Sequence, residues 1–130
     1  LIRALEEIKT TNRDYLANKV AKMIEANYKD MNMSTESLAS SLGLSGDYIG
    51  RVFKFVKGVS IAEYINHVRL EEAKELLNKT NKSVNDIMEE VGFQNNSYFY
   101  ILFKKHTGVT PIEYRKRIRE SLRLSDGVCE

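Results

Sequence analysis

The sequence predicts an all-α domain, and three observations carry that reading. Only one proline, Pro111, stands in 130 residues. Apolar residues recur three and four apart over several long stretches, the spacing that gathers them on one face of a helix. Serine, threonine or asparagine heads most of those stretches and glycine ends several, which is how helices start and stop.

The elements follow in chain order. From Tyr15 onward Leu16, Val20, Met23, Ile24 and Tyr28 keep helical spacing, and Leu1, Leu5, Ile8 and Tyr15 keep a looser heptad-like spacing before them. This first segment reads as helical throughout or as broken near Thr10-Thr11-Asn12, residues of modest helix propensity that often serve as caps. After Asn32, Ser34 or Thr35 starts a helix to Ser41, and Ser45 starts one to about Val56, with Gly43 and Gly58 at their ends. Ser60 with Glu63 forms a capping box that opens the longest predicted helix, from Ile61 to about Asn78. Ile65, Val68, Leu70, Ala73, Leu76 and Leu77 are its candidates for burial. Ser83 with Asp86 opens a short helix that stops at Gly92, and Asn95 or Asn96 caps the next, which ends near Gly108. In Thr110-Pro111-Ile112-Glu113 threonine is the cap, proline sits where its missing N–H is harmless, and glutamate returns the capping bond. A frayed tail is expected over residues 124–130.

Composition excludes several classes. Hydrophobic residues at 42% and charged residues at 29% are ordinary globular usage, so neither a disordered tail nor a fibrous repeat fits. The single cysteine, Cys129, has no disulfide partner and no cluster for zinc, which points to the cytosol. No apolar run approaches the roughly 20 residues needed to cross a bilayer, and charge interrupts Leu1-Ile2-Arg3 too early for a signal peptide. The start without methionine leads us to expect a fragment of a longer protein. The net charge of +2 decides little, because a nucleic-acid binder needs cations on one face and not a large total.

An internal repeat organises the chain. Leu38-Ala39-Ser40-Ser41-Leu42-Gly43-Leu44 matches Ile87-Met88-Glu89-Glu90-Val91-Gly92-Phe93 in pattern. Phe53-Lys54, then Gly58-Val59-Ser60-Ile61-Ala62-Glu63-Tyr64, is echoed by Phe103-Lys104, then Gly108-Val109-Thr110-Pro111-Ile112-Glu113-Tyr114. The copies lie about 50 residues apart. Each holds a short helix ending at a glycine able to turn left-handed, a tight turn, and a second helix with a buried phenylalanine and trailing lysine: a helix-turn-helix. Such a turn leaves the second helix protruding, and a helix fits the major groove of B-DNA, where its first residues meet base edges. The connecting helix, nearly 30 Å long, approaches the length of one DNA turn, about 34 Å. Both reading helices could therefore enter successive major grooves.

From about Met33 to Arg117 the chain resembles the DNA-binding domain of the AraC/XylS family of bacterial transcription regulators. The motifs that carry the resemblance are Leu38-Ala39-x-x-Leu42-Gly43, Ser45-x-x-Tyr48-Ile49-x-Arg51-x-Phe53-Lys54 and Arg69-x-x-x-Ala73-x-x-x-Leu77. With them come Ile87-x-x-x-Val91-Gly92-Phe93, Tyr98-Phe99-x-x-x-Phe103-Lys104 and Gly108-x-x-Pro111-x-x-Tyr114-Arg115. The resemblance implies seven helices, with two helix-turn-helix subdomains joined by a long central helix. It also implies double-stranded DNA as partner, an upstream sensor or receiver domain in the same chain, and a cytoplasmic location. On this reading residues 1–12 are a linker helix from that absent domain, open to a dimer contact. Residues 13–59 and 80–123 are the two subdomains, and 60–79 connect them.

Carried over by position, the family's pattern has the first reading helix present Asp47, Gly50 and Arg51, and the second Asn96, Ser97, Tyr100 and Ile101. Arg51 can bond a guanine through O6 and N7 or, less specifically, a phosphate. Asp47 can accept from cytosine N4, or simply favour the positive end of its own helix. Gly50 costs roughly 1 kcal/mol against alanine in mid-helix, which fits either close backbone approach to DNA or plain drift. Ser45, Lys54, Lys57, Lys104, Lys105 and Arg115 are candidates for phosphates. Lys116, Arg117, Arg119 and Arg123 extend the basic stretch, and about half of all these cations are expected to be merely solvated. Phe53, Phe93, Phe99, Phe103, Tyr64 and Tyr114 read as core.

Three departures stand out: Met88 for the family's usual alanine, Ile101 where a basic residue is common, and Gly46 for a frequent proline. Met88 should alter packing alone, whereas Ile101 turns either to DNA or into the core. An enzyme is disfavoured, since no nucleophile with a base, no metal-ligand spacing, no cofactor-binding glycine loop and no catalytic constellation stands out. His67 and His106 read as isolated packing or surface residues. The remaining rival is a protein-interaction module that has kept the fold and lost DNA binding.

Overall fold

The computed structural model describes the backbone of residues 2–129 and the side chains of residues 12–123. Seven helices occur among the described residues: α1 (Ile2–Asn27), α2 (Thr35–Leu42), α3 (Gly46–Lys57), α4 (Ile61–Lys79), α5 (Val84–Glu90), α6 (Asn96–Thr107) and α7 (Pro111–Cys129). The all-α expectation and the helix number both hold. α1 runs unbroken through Thr10-Thr11-Asn12. The apolar linker edge at Leu1, Leu5 and Ile8, with its dimer contact, lies outside the described side chains, as do the side chains of the tail from residue 124. Helical backbone continues through that tail to Cys129.

The caps show why the helices begin where they do. Ser34 accepts from the Ser37 N–H at 3.1 Å, and Ser37 Oγ accepts the Ser34 N–H in return at 2.9 Å. Ser45 accepts from Tyr48 N–H, Ser83 from Asp86 N–H and Asn95 from Tyr98 N–H, all within 3.2 Å. Each satisfies an amide that the first helical turn leaves without a partner. The Thr110–Glu113 capping box closes in both directions, Glu113 N–H to Thr110 Oγ1 at 3.2 Å and Thr110 N–H to Glu113 Oε2 at 3.4 Å.

The turns after α2 and α5 repeat the same hydrogen bonds. Gly43 N–H donates to Ser40 O and Leu44 N–H to Ala39 O; Gly92 N–H donates to Glu89 O and Phe93 N–H to Met88 O. Gly43 has φ 68° and Gly92 φ 103°, left-handed conformations in which a side chain would be strained. The matching glycines are thus placed by backbone geometry.

The chain divides into two units, Leu1–Val68 and Arg69–Glu130, with the division inside α4. In the first, Ala17, Val20, Ala21 and Ile24 of α1 pack with Leu38 and Ala39 of α2, Ile49 and Phe53 of α3, and Ile61 and Ile65 of α4. Val20 and Ile24 are buried as their spacing required, while Tyr15 faces solvent and the small Ala17 and Ala21 take the contact. In the second unit, Phe93, Phe99, Phe103 and Tyr114 form a run of rings with centroids 5.1 to 5.8 Å apart. Leu70, Ala73, Leu77, Ile87, Met88 and Val91 are buried there too. Met88 therefore fills core, as expected. Arg69 is also buried, with its guanidinium 5.7 Å from the Phe93 ring centroid. No described helix is long and apolar enough to cross a membrane.

Candidate nucleic-acid interface

α3 turns one face inward and the other out. Ile49, Val52 and Phe53 are buried, while Asp47, Arg51 and Lys54 are exposed and Gly50 is half-buried. Ser45, at the N-terminus, is exposed with its hydroxyl engaged as acceptor for Tyr48 N–H. Arg51 Nε donates to the Asp47 carbonyl at 3.4 Å, a long bond between residues one turn apart. Asp47 sits in the first turn, where the helix dipole favours a carboxylate. A Cβ built on Gly50 would meet nothing within 4 Å, so no contact inside the protein demands glycine there.

α6 is arranged alike. Asn95, rather than Asn96, is the cap, which leaves Asn96 and Ser97 exposed in the first turn. Tyr100 is half-buried, its ring edge-on to Phe99 at 6.0 Å. Ile101 is 66% exposed. The alternative that Ile101 turns into the core is therefore set aside: Phe99 and Phe103 fill the inward face of α6, and Ile101 lies on the other. Tyr48 and Tyr98, at matching places in the two reading helices, are also about half exposed; sequence reasoning gave them no role, although the repeat pairs them.

Lys54 and Lys57 in the last turn of α3, and Lys104 and Lys105 in that of α6, are exposed. Lys57 Nζ donates to Asn18 Oδ1 at 2.6 Å, which tethers it to α1.

Arg115 requires a correction. Its Nε donates to Leu77 O at 3.1 Å, and one terminal nitrogen donates to Thr80 O at 3.3 Å and Lys82 O at 2.7 Å. The guanidinium thus satisfies carbonyls at and beyond the end of α4, a structural clamp in place of the expected phosphate contact. Burial, with the like charge of Arg119 second, lowers its pKa. Arg119 joins the clamp through Thr80 O at 2.9 Å and Asn81 Oδ1 at 2.8 Å.

His106 is likewise not isolated: its Nε2 lies 2.9 Å from Glu71 Oε1, and Lys74 Nζ reaches the same oxygen at 3.1 Å. Burial alone would raise the Glu71 pKa; the hydrogen bonds from His106 and Lys74 outweigh it and hold the carboxyl below its usual value.

Similarity to known proteins agrees with this geometry. A family model described as a helix-turn-helix domain matches residues 38–117. Over 97 residues the chain is 40% identical to the bifunctional transcriptional activator/DNA repair enzyme AdaA of Bacillus subtilis, covering 75% of this chain and 46% of that protein. Over 104 residues it is 38% identical to the uncharacterized HTH-type transcriptional regulator YisR of the same organism, covering 80% of this chain and 36% of the relative. The chain thus spans less than half the length of either relative. Among solved structures, the C-terminal domain of AraT, a response regulator from Geobacillus stearothermophilus, superposes with a TM-score of 0.76 at 31% identity, over 78% of this chain and 84% of that one.

Proposed function

The chain belongs to the AraC/XylS family of helix-turn-helix transcription regulators, and from that premise we propose that it binds double-stranded DNA sequence-specifically to regulate transcription. The observation that carries this reading is the repeated helix-turn-helix: each copy buries one face of its second helix and leaves polar residues of the other in solvent. A protruding helix of that kind fits the major groove. We assign base contacts to Asp47, Gly50 and Arg51 on α3 and to Asn96, Ser97, Tyr100 and Ile101 on α6. Ser45, Lys54, Lys57, Lys104 and Lys105 are assigned to phosphates. The repeat supports two contact blocks about one helical turn, 10 to 10.5 base pairs, apart, on an asymmetric site because the two helices differ in sequence. The role is binding and not catalysis.

The fraction of its relatives that this chain spans supports its being the DNA-binding part of a longer regulator; a sensor or receiver domain in that protein and a cytoplasmic location are proposed from the family resemblance. Selection of bound duplexes from a random pool, followed by footprinting, tests the reading. Two protected blocks in one asymmetric site support it. A single protected groove overturns the two-helix arrangement, and no selection at low salt favours a protein-interaction module.

A further inference from the structure

The two reading helices differ at a place that the base-contact pattern does not use. Where α6 carries Lys105, in its last turn, α3 carries Phe55, which is 74% exposed. An apolar ring in that position buries little, and it removes a cation from the side of the helix where the other copy keeps one. The ring is occupied from outside the repeat: the guanidinium of Arg13, on α1, stands over it at 5.4 Å from the centroid. A guanidinium over a ring face is held by the ring's quadrupole without losing its charge or its hydrogen-bond donors.

Arg13, Tyr48, Arg51, Val52 and Phe55 together line a concavity of about 320 Å³ between α1 and α3. Tyr48, Arg51, Val52 and Phe55 follow one another at helical spacing, so the concavity runs along a flank of α3 that shares Arg51 with the base-facing side. Two guanidiniums and a half-exposed phenol border it, and none of its lining residues is a carboxylate. That chemistry suits an anion with several acceptor oxygens, and a helix seated in the major groove is flanked by such anions in the DNA backbone.

We propose that this concavity takes a backbone phosphate of the bound duplex, with Arg13 the contact and Phe55 the platform that holds it there. Arg13 supplies to the first reading helix the charge that Lys105 supplies to the second. The inference rests on the assignment of α3 as a reading helix, and it adds a DNA contact from α1, outside both helix-turn-helix motifs.

The test is a titration of the whole chain with its selected duplex and with an unrelated duplex across a salt series. Arg13→Ala is expected to weaken both about fivefold at moderate salt and to make the logarithmic salt slope shallower by about one, with base preference unchanged. Phe55→Leu should reproduce part of that loss. Phe55→Lys placed in the Arg13→Ala protein should restore the slope, since it recreates the α6 arrangement. An unchanged slope in Arg13→Ala, while Arg51→Ala still relaxes one base position, overturns the proposal and leaves the reading of α3 intact. If Arg51→Ala also leaves base preference untouched, both fail. A change of base preference in Arg13→Ala would make the residue a support for Arg51 and would overturn the phosphate assignment.

Discussion

Phe53 meets Tyr64 edge to face with ring centroids 5.4 Å apart, and Phe103 meets Tyr114 at the same 5.4 Å in the other unit. In each unit this pair pins the reading helix to the helix that follows it. Edge-to-face rings add about 0.5–1.5 kcal/mol beyond the area they bury. The repeat is thus carried through the core as well as through the turns, and the outer residues of α3 and α6 could diverge without moving the helices that present them.

The two pairs differ at the tyrosine hydroxyl. Tyr64 donates to Glu25 Oε1 at 2.7 Å; burial first, then that hydrogen bond and the carboxylate's charge, push its pKa up to about 12. An unfolded tyrosine titrates near about 10. Because the folded value is the higher, the stabilisation is complete below the unfolded value and is lost as pH rises through about 12. Tyr64→Phe should cost about 1 kcal/mol in neutral melts, and the difference from wild type should disappear in strong alkali.

Gly50→Ala separates two reasons for a glycine in mid-helix. Nothing within 4 Å opposes a Cβ there, so the free protein should gain about 0.5–1 kcal/mol, read from thermal melts. Duplex affinity should nevertheless fall, because the methyl occupies space that the DNA approaches. A more stable protein with undiminished affinity would show that the position makes no close contact.

Ile101 offers DNA only an apolar surface. With the side chain in solvent, Ile101→Ala should leave the melt within about 0.5 kcal/mol of wild type and erode a preference for thymine, whose methyl it would meet. Ile101→Arg should raise affinity for all sequences and steepen the salt dependence.

Arg115→Ala should destabilise the second unit by about 1–3 kcal/mol, since it removes the donor to the Leu77 and Lys82 carbonyls and leaves Thr80 O to Arg119 alone. Denaturant titration would show the loss. The salt slope of DNA binding by the folded protein should stay as it was; a shallower slope would return Arg115 to the phosphates.

What the sequence disclosed and what it concealed divide by range along the chain. Ser45, Ser83 and Thr110 were legible as caps because such residues bond an amide three residues on, while Ser34 and Asn95 were each one of two adjacent candidates that spacing did not separate. Gly43 and Gly92 were legible because a left-handed turn has few other occupants. Arg115 looked like any member of a basic run, and its partners lie 33 to 38 residues upstream, beyond the reach of periodicity. The same holds for His106 against Glu71 and for Arg13 over Phe55. Ile101 was undecidable by spacing, since its neighbours Phe99 and Phe103 flank a position on the edge of the buried stripe. On the reading faces Asp47, Arg51, Asn96, Ser97 and Ile101 are exposed while Gly50 and Tyr100 are half-buried, and the sequence left open which of two partners Arg51 and Asp47 would take.

Whether α3 reads sequence through Arg51 is decided by the affinity of Arg51→Ala for the selected duplex and for duplexes altered one base pair at a time. Expected are a loss of about 1–3 kcal/mol on the selected duplex and relaxed preference at one position, with the other positions as stringent as before. An equal loss on every duplex, with a shallower salt slope and all preferences intact, would make Arg51 a phosphate contact and contradict that reading role.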